Sequence, residues 1–139
     1  MDLDYLEKQL TRHEGRRNIL YRDSNDKMTI GIGHNIEDKG LRDSEIELIF
    51  SHDLQEAIND LTAHLDWTNS LDQARRMVLV NMCFNMGVAK LLGFHKMLVA
   101  LQNGDFNKAA DEMMNSLWAK QVKGRALELA NQMRTGELL

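Results

Sequence analysis

The spacing of apolar residues changes along the chain, and each change predicts a different kind of element. Near the N-terminus, Leu3, Leu6 and Leu10 recur at three- and four-residue intervals, which predicts one apolar face on a helix. Acidic residues early in this segment and Gly15 at its end are typical of the two helix termini. We therefore expect a first helix that ends at Glu14.

The next segment follows the period of a β-strand instead. A turn-forming sequence, Asp-Ser-Asn-Asp, starts at Asp23 and separates two short β-prone runs. In the second run, isoleucines alternate with Thr29, Gly31 and Gly33. This pattern predicts a small hairpin, with a third strand over residues 35–37.

The helical period then returns and continues to the C-terminus. Ser44 and Glu47 have the spacing of a capping box, and the apolar residues after them predict a helix over about residues 45–65, long enough to join two lobes. Ser70 and Gln73 repeat this spacing before a run that is apolar on nearly every side, which predicts the core helix of a C-terminal lobe.

These patterns together predict an α+β fold. We expect a small N-terminal lobe with a short antiparallel sheet over about residues 12–45, a long connecting helix, and an all-helical C-terminal lobe over about 66–139. A cleft between two such lobes is a natural ligand site.

Composition and charge exclude several classes of protein. Hydrophobic residues make up 43% and charged residues 27% of the chain, which is ordinary for a folded globular protein. The net charge is −4, and its acidic excess lies in the first half of the chain, so we expect no nucleic-acid partner. No apolar stretch predicts membrane insertion or an export signal. The single Cys83 excludes an internal disulfide, and its apolar surroundings predict a buried thiol.

Two carboxylates suggest a chemistry. Splitting a glycosidic bond requires one protonated carboxylic acid and one ionised carboxylate across a cleft. Glu14 at a helix C-terminus faces carbonyl dipoles that disfavour its charge, whereas turn amides favour an ionised Asp23. From spacing alone, a solvated helix end and a solvated turn fit these residues as well.

Other candidates have ordinary alternatives too. The pair Gly31 and Gly33 lacks the third glycine and the following helix of a dinucleotide site, so it predicts close approach to bare backbone, by a ligand for example. Thr29 is either a strand former or a hydroxyl that orients water. No second His or Cys lies at ligand spacing from His34, so we expect no metal and no cofactor.

The order of motifs resembles a known family. The sequences HEG, YRDS and TIGIGH, spaced as they are between residues 13 and 34, resemble the catalytic segment of the phage-type lysozymes, in particular the T-even phage endolysins. LIFSHDLQEA resembles the long inter-lobe helix of that family, and SLDQARRMVLVNMCFNMG resembles its central core helix. The resemblance implies a single lysozyme-like domain over residues 1–139, in which the first helix, residues 2–14, packs on the C-terminal lobe.

The resemblance also implies an activity. A muramidase of this family hydrolyses the β-1,4 bond between N-acetylmuramic acid and N-acetylglucosamine in peptidoglycan, with inversion. By position, Glu14 would be the general acid, and Asp23 and Thr29 would hold and activate the attacking water. A lytic transglycosylase, which needs no activated water, and a catalytically silent glycan-binding protein are the alternatives.

Five further residues take roles from the resemblance. Gly31, Phe84 and Arg125 would contact substrate or line its cleft, and Arg125 would pair with the catalytic glutamate. His34 and Asp53 would form a structural ion pair. The segment after His34 is shorter than in the T-even enzymes, which leaves the number of glycan subsites open.

The resemblance also implies an oligomeric state, a substrate and a location for the protein. We expect a monomer that acts on bacterial peptidoglycan and causes lysis of the host cell. It would be made in the host cytoplasm and reach the cell wall in the periplasm through a holin-type pore.

Overall fold

The computed structural model describes residues 1–138 and divides into two compact units, Met1–Ile49 and the chain from Phe50 onward. The first unit contains a three-stranded sheet and short helices, and helix α3 continues from it into the second unit. The elements of the first unit are α1 (Leu3–Glu14), β1 (Arg17–Arg22), β2 (Met28–Gly31), β3 (His34–Asn35), α2 (Ile36–Lys39) and the start of α3 (Asp43–His64).

Helix α1 begins and ends where the sequence predicts. The carboxylate of Asp2 accepts a hydrogen bond from the amide of Tyr5 (3.0 Å) and caps the N-terminus. Gly15 ends the helix with φ +77° and ψ 169°, a backbone conformation that essentially only glycine adopts. Glu14 is therefore fixed as the last residue of α1.

The antiparallel sheet has the order β1-β2-β3, so β2 is its central strand. Thr29 of β2 pairs with Tyr21 on one side and Asn35 on the other. The predicted hairpin is confirmed, but the third strand lies at His34–Asn35 and not over residues 35–37. It ends early because the Asn35 side chain accepts from the amide of Asp38 (3.1 Å) and starts α2.

The two long helices are confirmed, but their predicted caps are wrong. Helix α3 begins at Asp43, and the carboxylate of Glu45 reaches back to the amide of Arg42 (3.1 Å), so Ser44 is not its cap. Helix α4 is capped by Asp72, whose carboxylate accepts from the amide three residues further on (3.1 Å), and not by Ser70.

The second unit is helical throughout its described part. After α3 come a 3-10 turn (Asp66–Ser70), α4 (Gln73–Met86), α5 (Val88–Leu92), α6 (His95–Gln102), α7 (Phe106–Met114), α8 (Leu117–Val122) and α9 (Gly124–Thr135). Its core is built mainly from leucine, methionine and alanine, and each fully buried leucine or methionine contributes about 1.5–3 kcal/mol. The largest fully buried apolar side chains are Leu61, Val78, Leu79, Met82, Leu91, Met97, Met113 and Met133.

Cys83 lies in this core, as the sequence predicts. Its side chain is buried on α4, and burial raises the pKa of the thiol because it disfavours the charged thiolate. In residues 1–138, no helix is both long enough and apolar enough to span a membrane. The packing of the first helix on the C-terminal lobe stays a prediction.

Candidate active site

The carboxylate of Glu14 lies against the backbone of Gly33. A Cβ atom added at Gly33 would lie 2.7 Å from Glu14 Oε2 and 2.9 Å from Glu14 Cδ, closer than any real contact. Gly33 also has φ +64°, which favours glycine. The end of α1 therefore meets the turn between β2 and β3, and the close approach that the sequence predicts at this glycine is made by Glu14.

Gly31 is different, although its backbone is also left-handed. It has φ +70°, and no heavy atom lies within 4 Å of the position that its Cβ would occupy. Gly31 is the last residue of β2 and pairs with Arg17 of β1. Its outer face is open backbone, which agrees with approach by a ligand, while its role in substrate binding stays a prediction.

Asp23 is held by the turn between β1 and β2. Its Oδ1 atom accepts hydrogen bonds from the amides of Asn25 (2.8 Å) and Lys27 (2.9 Å). Asp26 closes the turn with φ +60°, and its amide donates to the carbonyl of Asp23 (3.0 Å). Within residues 1–138, Oδ2 accepts no hydrogen bond, so the turn fixes one oxygen and leaves the other to bind water.

Thr29 is fixed in the central strand. Its side chain is 1% exposed, and its hydroxyl donates to the carbonyl oxygen of Lys27 (2.8 Å). The same carbonyl accepts from the amide of Asp23 (3.0 Å). Because the hydroxyl proton is used in this way, Thr29 Oγ1 can accept a hydrogen bond from water but cannot donate one to it.

A charged cluster beside this turn was not predicted from the sequence. The ammonium of Lys27 lies 3.2 Å from Asp38 Oδ1 and 3.4 Å from Glu37 Oε2 of α2. The hydrogen bond to Asp38, followed by that to Glu37, raises the pKa of Lys27. In the sequence, Lys27 follows the turn residue Asp23 by four positions. This spacing is too common to predict the cluster.

In the second unit, Phe84 borders an apolar groove of about 690 Å³ between α3, α4 and α9. Phe84 is 41% exposed, and its ring centroid lies 5.8 Å from that of Phe50. Leu54 and Ile58 of α3 extend the apolar wall. The structure thus places Phe84 on an accessible apolar surface, where a sugar ring could pack against it.

Arg125 of α9 lines the same groove and is held by Asn81. Its guanidinium donates to Asn81 Oδ1 through Nε (3.0 Å) and Nη2 (2.6 Å). In the first unit, the His34 ring forms a hydrogen bond through Nε2 with the carbonyl of Gly40 (2.7 Å). The pairing of Arg125 with Glu14, and that of His34 with Asp53, stay predictions.

The site residues of the first unit form one arrangement. Glu14 reaches the turn that follows β2, Thr29 lies within β2, and Asp23 lies in the turn that precedes it. The hairpin therefore carries one carboxylate bound by amides and one oriented hydroxyl, and the turn after it contacts one exposed carboxyl. Among residues 1–138, no group of three or more His, Cys, Asp or Glu side chains could hold a metal ion.

Comparisons with known proteins place the chain in a family. The family model for phage lysozyme matches residues 11–137. The chain is 32% identical to the pre-baseplate central spike protein Gp5 of Enterobacteria phage T4, over 94% of this chain and 28% of that protein. It is 30% identical to the probable T4-type lysozyme 2 of Dictyostelium discoideum, over 96% of this chain and 95% of that protein.

A further relative is the probable T4-type lysozyme 1 of Dictyostelium discoideum, which is 28% identical over 96% of this chain and 95% of its own length. The chain spans only 28% of the length of the spike protein. The alignments run over 160 and 162 residues, more than the 139 of this chain, so the relatives contain residues that it lacks. The matched model covers nearly the whole chain, and the chain belongs to the phage lysozyme family.

Proposed function

We propose that this protein is a muramidase that hydrolyses the β-1,4 bond between N-acetylmuramic acid and N-acetylglucosamine in bacterial peptidoglycan. Membership of the phage lysozyme family supports a lysozyme-like function, the cleavage of a glycan. The choice of bond, the mechanism and the residues below are our proposal.

One observation carries the proposal, namely the contact between Glu14 and Gly33. It brings the Glu14 carboxyl to the hairpin that also orders Asp23 and Thr29. A glycosidase needs such a pair of carboxyl groups, one on each side of the bond that breaks.

The environment of each group supports its role. Glu14 is exposed at the C-terminus of α1, where its carboxyl can reach and protonate the leaving oxygen of a bound glycan. Two amides donate to Asp23 Oδ1 and hold the carboxylate in place, and its Oδ2 is available to take a proton from water. Thr29 Oγ1 accepts a hydrogen bond from the other O–H of that water and so orients it, while the OH group adds to the anomeric carbon.

Inversion follows from the use of a free water. The water attacks the anomeric carbon on the face opposite the leaving oxygen, so the two carboxyl groups must be separated by roughly 6.5–9.5 Å in the reacting complex. We propose that Gly31, Phe84 and Arg125 contact the glycan, the first through open backbone and the second through its exposed ring. We further propose that the protein acts as a monomer and lyses the host cell after release through a separate pore.

Clearing of purified peptidoglycan tests the acid assignment. We expect Glu14→Gln to abolish clearing and leave the melting temperature unchanged, because the amide cannot protonate the leaving oxygen. Glu7→Gln is the matched control, since Glu7 is an exposed glutamate of the same helix. Clearing by Glu14→Gln at the rate of the wild type would overturn the assignment.

A further inference from the structure

A network of hydrogen bonds and ion pairs surrounds Lys27 in the first unit. Its amide donates to Asp23 Oδ1 (2.9 Å), and its carbonyl accepts from both the Asp23 amide (3.0 Å) and the Thr29 hydroxyl (2.8 Å). The two peptide groups that flank this one residue therefore set the positions of both groups that we propose hold the water. Movement of the backbone at Lys27 would move Asp23 and Thr29 together.

The side chain of Lys27 ties this backbone to helix α2. Its ammonium lies 3.2 Å from Asp38 Oδ1 and 3.4 Å from Glu37 Oε2. These ion pairs join the turn between β1 and β2 to helix α2. The hydrogen bond from Asn35, followed by that from Lys27, holds the pKa of Asp38 below its ordinary value. The Asp38 carboxylate is thus a charged partner of Lys27 at neutral pH.

The two acids are themselves held in place. Glu37 Oε1 accepts from the amide of Met28 (3.4 Å), the residue that follows Lys27. Asp38 Oδ2 accepts from the side-chain amide of Asn35 (2.9 Å), and Asn35 pairs with Thr29 across the sheet. The turn is therefore connected to α2 in two ways, through the ion pairs of Lys27 and through the pairing of Thr29 with Asn35.

We propose that Lys27 is a positioning residue, which fixes Asp23 and Thr29 by anchoring their shared turn to Glu37 and Asp38. The inference rests on the proposed function, since it concerns the water that those two residues would activate. It also gives a role to the short segment after His34, which carries both acids.

A positioning role and a purely structural role differ in their expected effects on stability and on rate. The side chains of Lys27, Glu37 and Asp38 are 39%, 41% and 51% exposed, and exposed ion pairs contribute little to stability. The rate of catalysis is more sensitive to the loss of such a pair than stability is, because misplacement of a reacting group by about 1 Å can lower a rate by two orders of magnitude. Loss of the ammonium should therefore lower kcat much more than it lowers the melting temperature.

The test uses Lys27→Met, which keeps the length of the side chain and removes its charge, and Lys27→Arg, which restores the charge. We expect Lys27→Met to lower kcat on soluble peptidoglycan fragments by about tenfold with KM unchanged, and Lys27→Arg to recover most of it. Lys8→Met is the matched control, because Lys8 makes a similar exposed pair with Asp4 (2.8 Å) on α1. Its kcat should equal that of the wild type.

A second measurement does not depend on activity. Hydrogen exchange at the amides of Asn25 and of position 27, which donate to Asp23, should be faster in Lys27→Met than in the wild type. If Lys27→Met folds poorly, the double variant Glu37→Gln/Asp38→Asn removes the same anchor and should give the same kcat and exchange.

The outcomes distinguish two kinds of failure. An active wild type whose kcat and amide exchange are unchanged by Lys27→Met would overturn the positioning role and leave the muramidase proposal standing. A wild type that releases no fragments from peptidoglycan would overturn the proposed function. In that case the amide exchange alone decides whether Lys27 orders the turn.

Discussion

The carboxylate of Glu14 occupies the space that a side chain at Gly33 would fill, with Oε2 only 2.7 Å from the position of the missing Cβ. This relationship links the end of a helix to the turn of a hairpin that lies some twenty residues further along the chain. It makes a glycine of the TIGIGH motif part of the environment of the proposed acid. The glycine serves to admit a carboxylate, and its effect should be measurable.

We predict that Gly33→Ala displaces Glu14 and lowers kcat by at least tenfold, because the new Cβ and the carboxylate cannot both keep their positions. The left-handed backbone should also cost about 1–2 kcal/mol of stability. Gly104→Ala is the control for this strain, since Gly104 has φ +72° and open space around it. It should lose comparable stability and keep kcat, and an equal kcat in the two variants would contradict the displacement.

We predict that Thr29→Val lowers kcat by about two orders of magnitude, because the water loses the oxygen that orients it. The variant should also lose about 1 kcal/mol of stability with the hydrogen bond to Lys27. Thr68→Val is a matched control, since Thr68 is equally buried and its hydroxyl donates to the carbonyl of Leu65 (2.6 Å). Thermal melts and initial rates on both variants check this, and Thr29→Val at the wild-type rate would remove Thr29 from the mechanism.

We predict that Asp23→Asn abolishes hydrolysis while preserving the turn. An asparagine Oδ1 can still accept from the amides of Asn25 and Lys27, but the amide cannot take a proton from water. Asp26→Asn makes the same chemical change in the same turn, at a residue with φ +60° that asparagine tolerates. Release of reducing ends should stop in the first variant and continue in the second, and continued release by Asp23→Asn would exclude Asp23 as the base.

We predict that Asp38 titrates below its ordinary pKa of 3.8, because Asn35 and then Lys27 stabilise its carboxylate. A lowered pKa means that the folded protein binds this proton less tightly than the unfolded chain does. The contribution of Asp38 to stability is thus complete above about pH 4 and is lost as the pH falls through the folded value. Carboxyl NMR should show its midpoint move toward 3.8 in Lys27→Met, and an unmoved midpoint would contradict the contact.

Local patterns in the sequence predict much of this fold. The apolar spacing and Gly15 locate the end of α1 at Glu14, and the turn sequence at Asp23 locates the hairpin. These features depend on residues close together in the chain. The candidate roles of Glu14, Asp23 and Thr29 come from the resemblance to phage lysozymes, because a helix-end glutamate and a turn aspartate are common.

Contacts between distant residues were not predictable in this way. Helix α2 is a single turn whose start depends on the side chain of Asn35. The contact of Glu14 with Gly33 depends on how α1 meets the hairpin, and the role of Lys27 depends on the conformation of the turn. Each arises from tertiary packing or side-chain geometry, which no periodicity in the sequence records.

The configuration of the first product tests the central claim most directly. Proton NMR can follow the anomeric signals while the wild-type protein cleaves a soluble peptidoglycan fragment, with mass spectrometry of the released muropeptides. We predict that the α-anomer of the reducing sugar appears first, because water displaces the β-linked oxygen with inversion. Initial release of the β-anomer, or of anhydro-muramic ends, would contradict it.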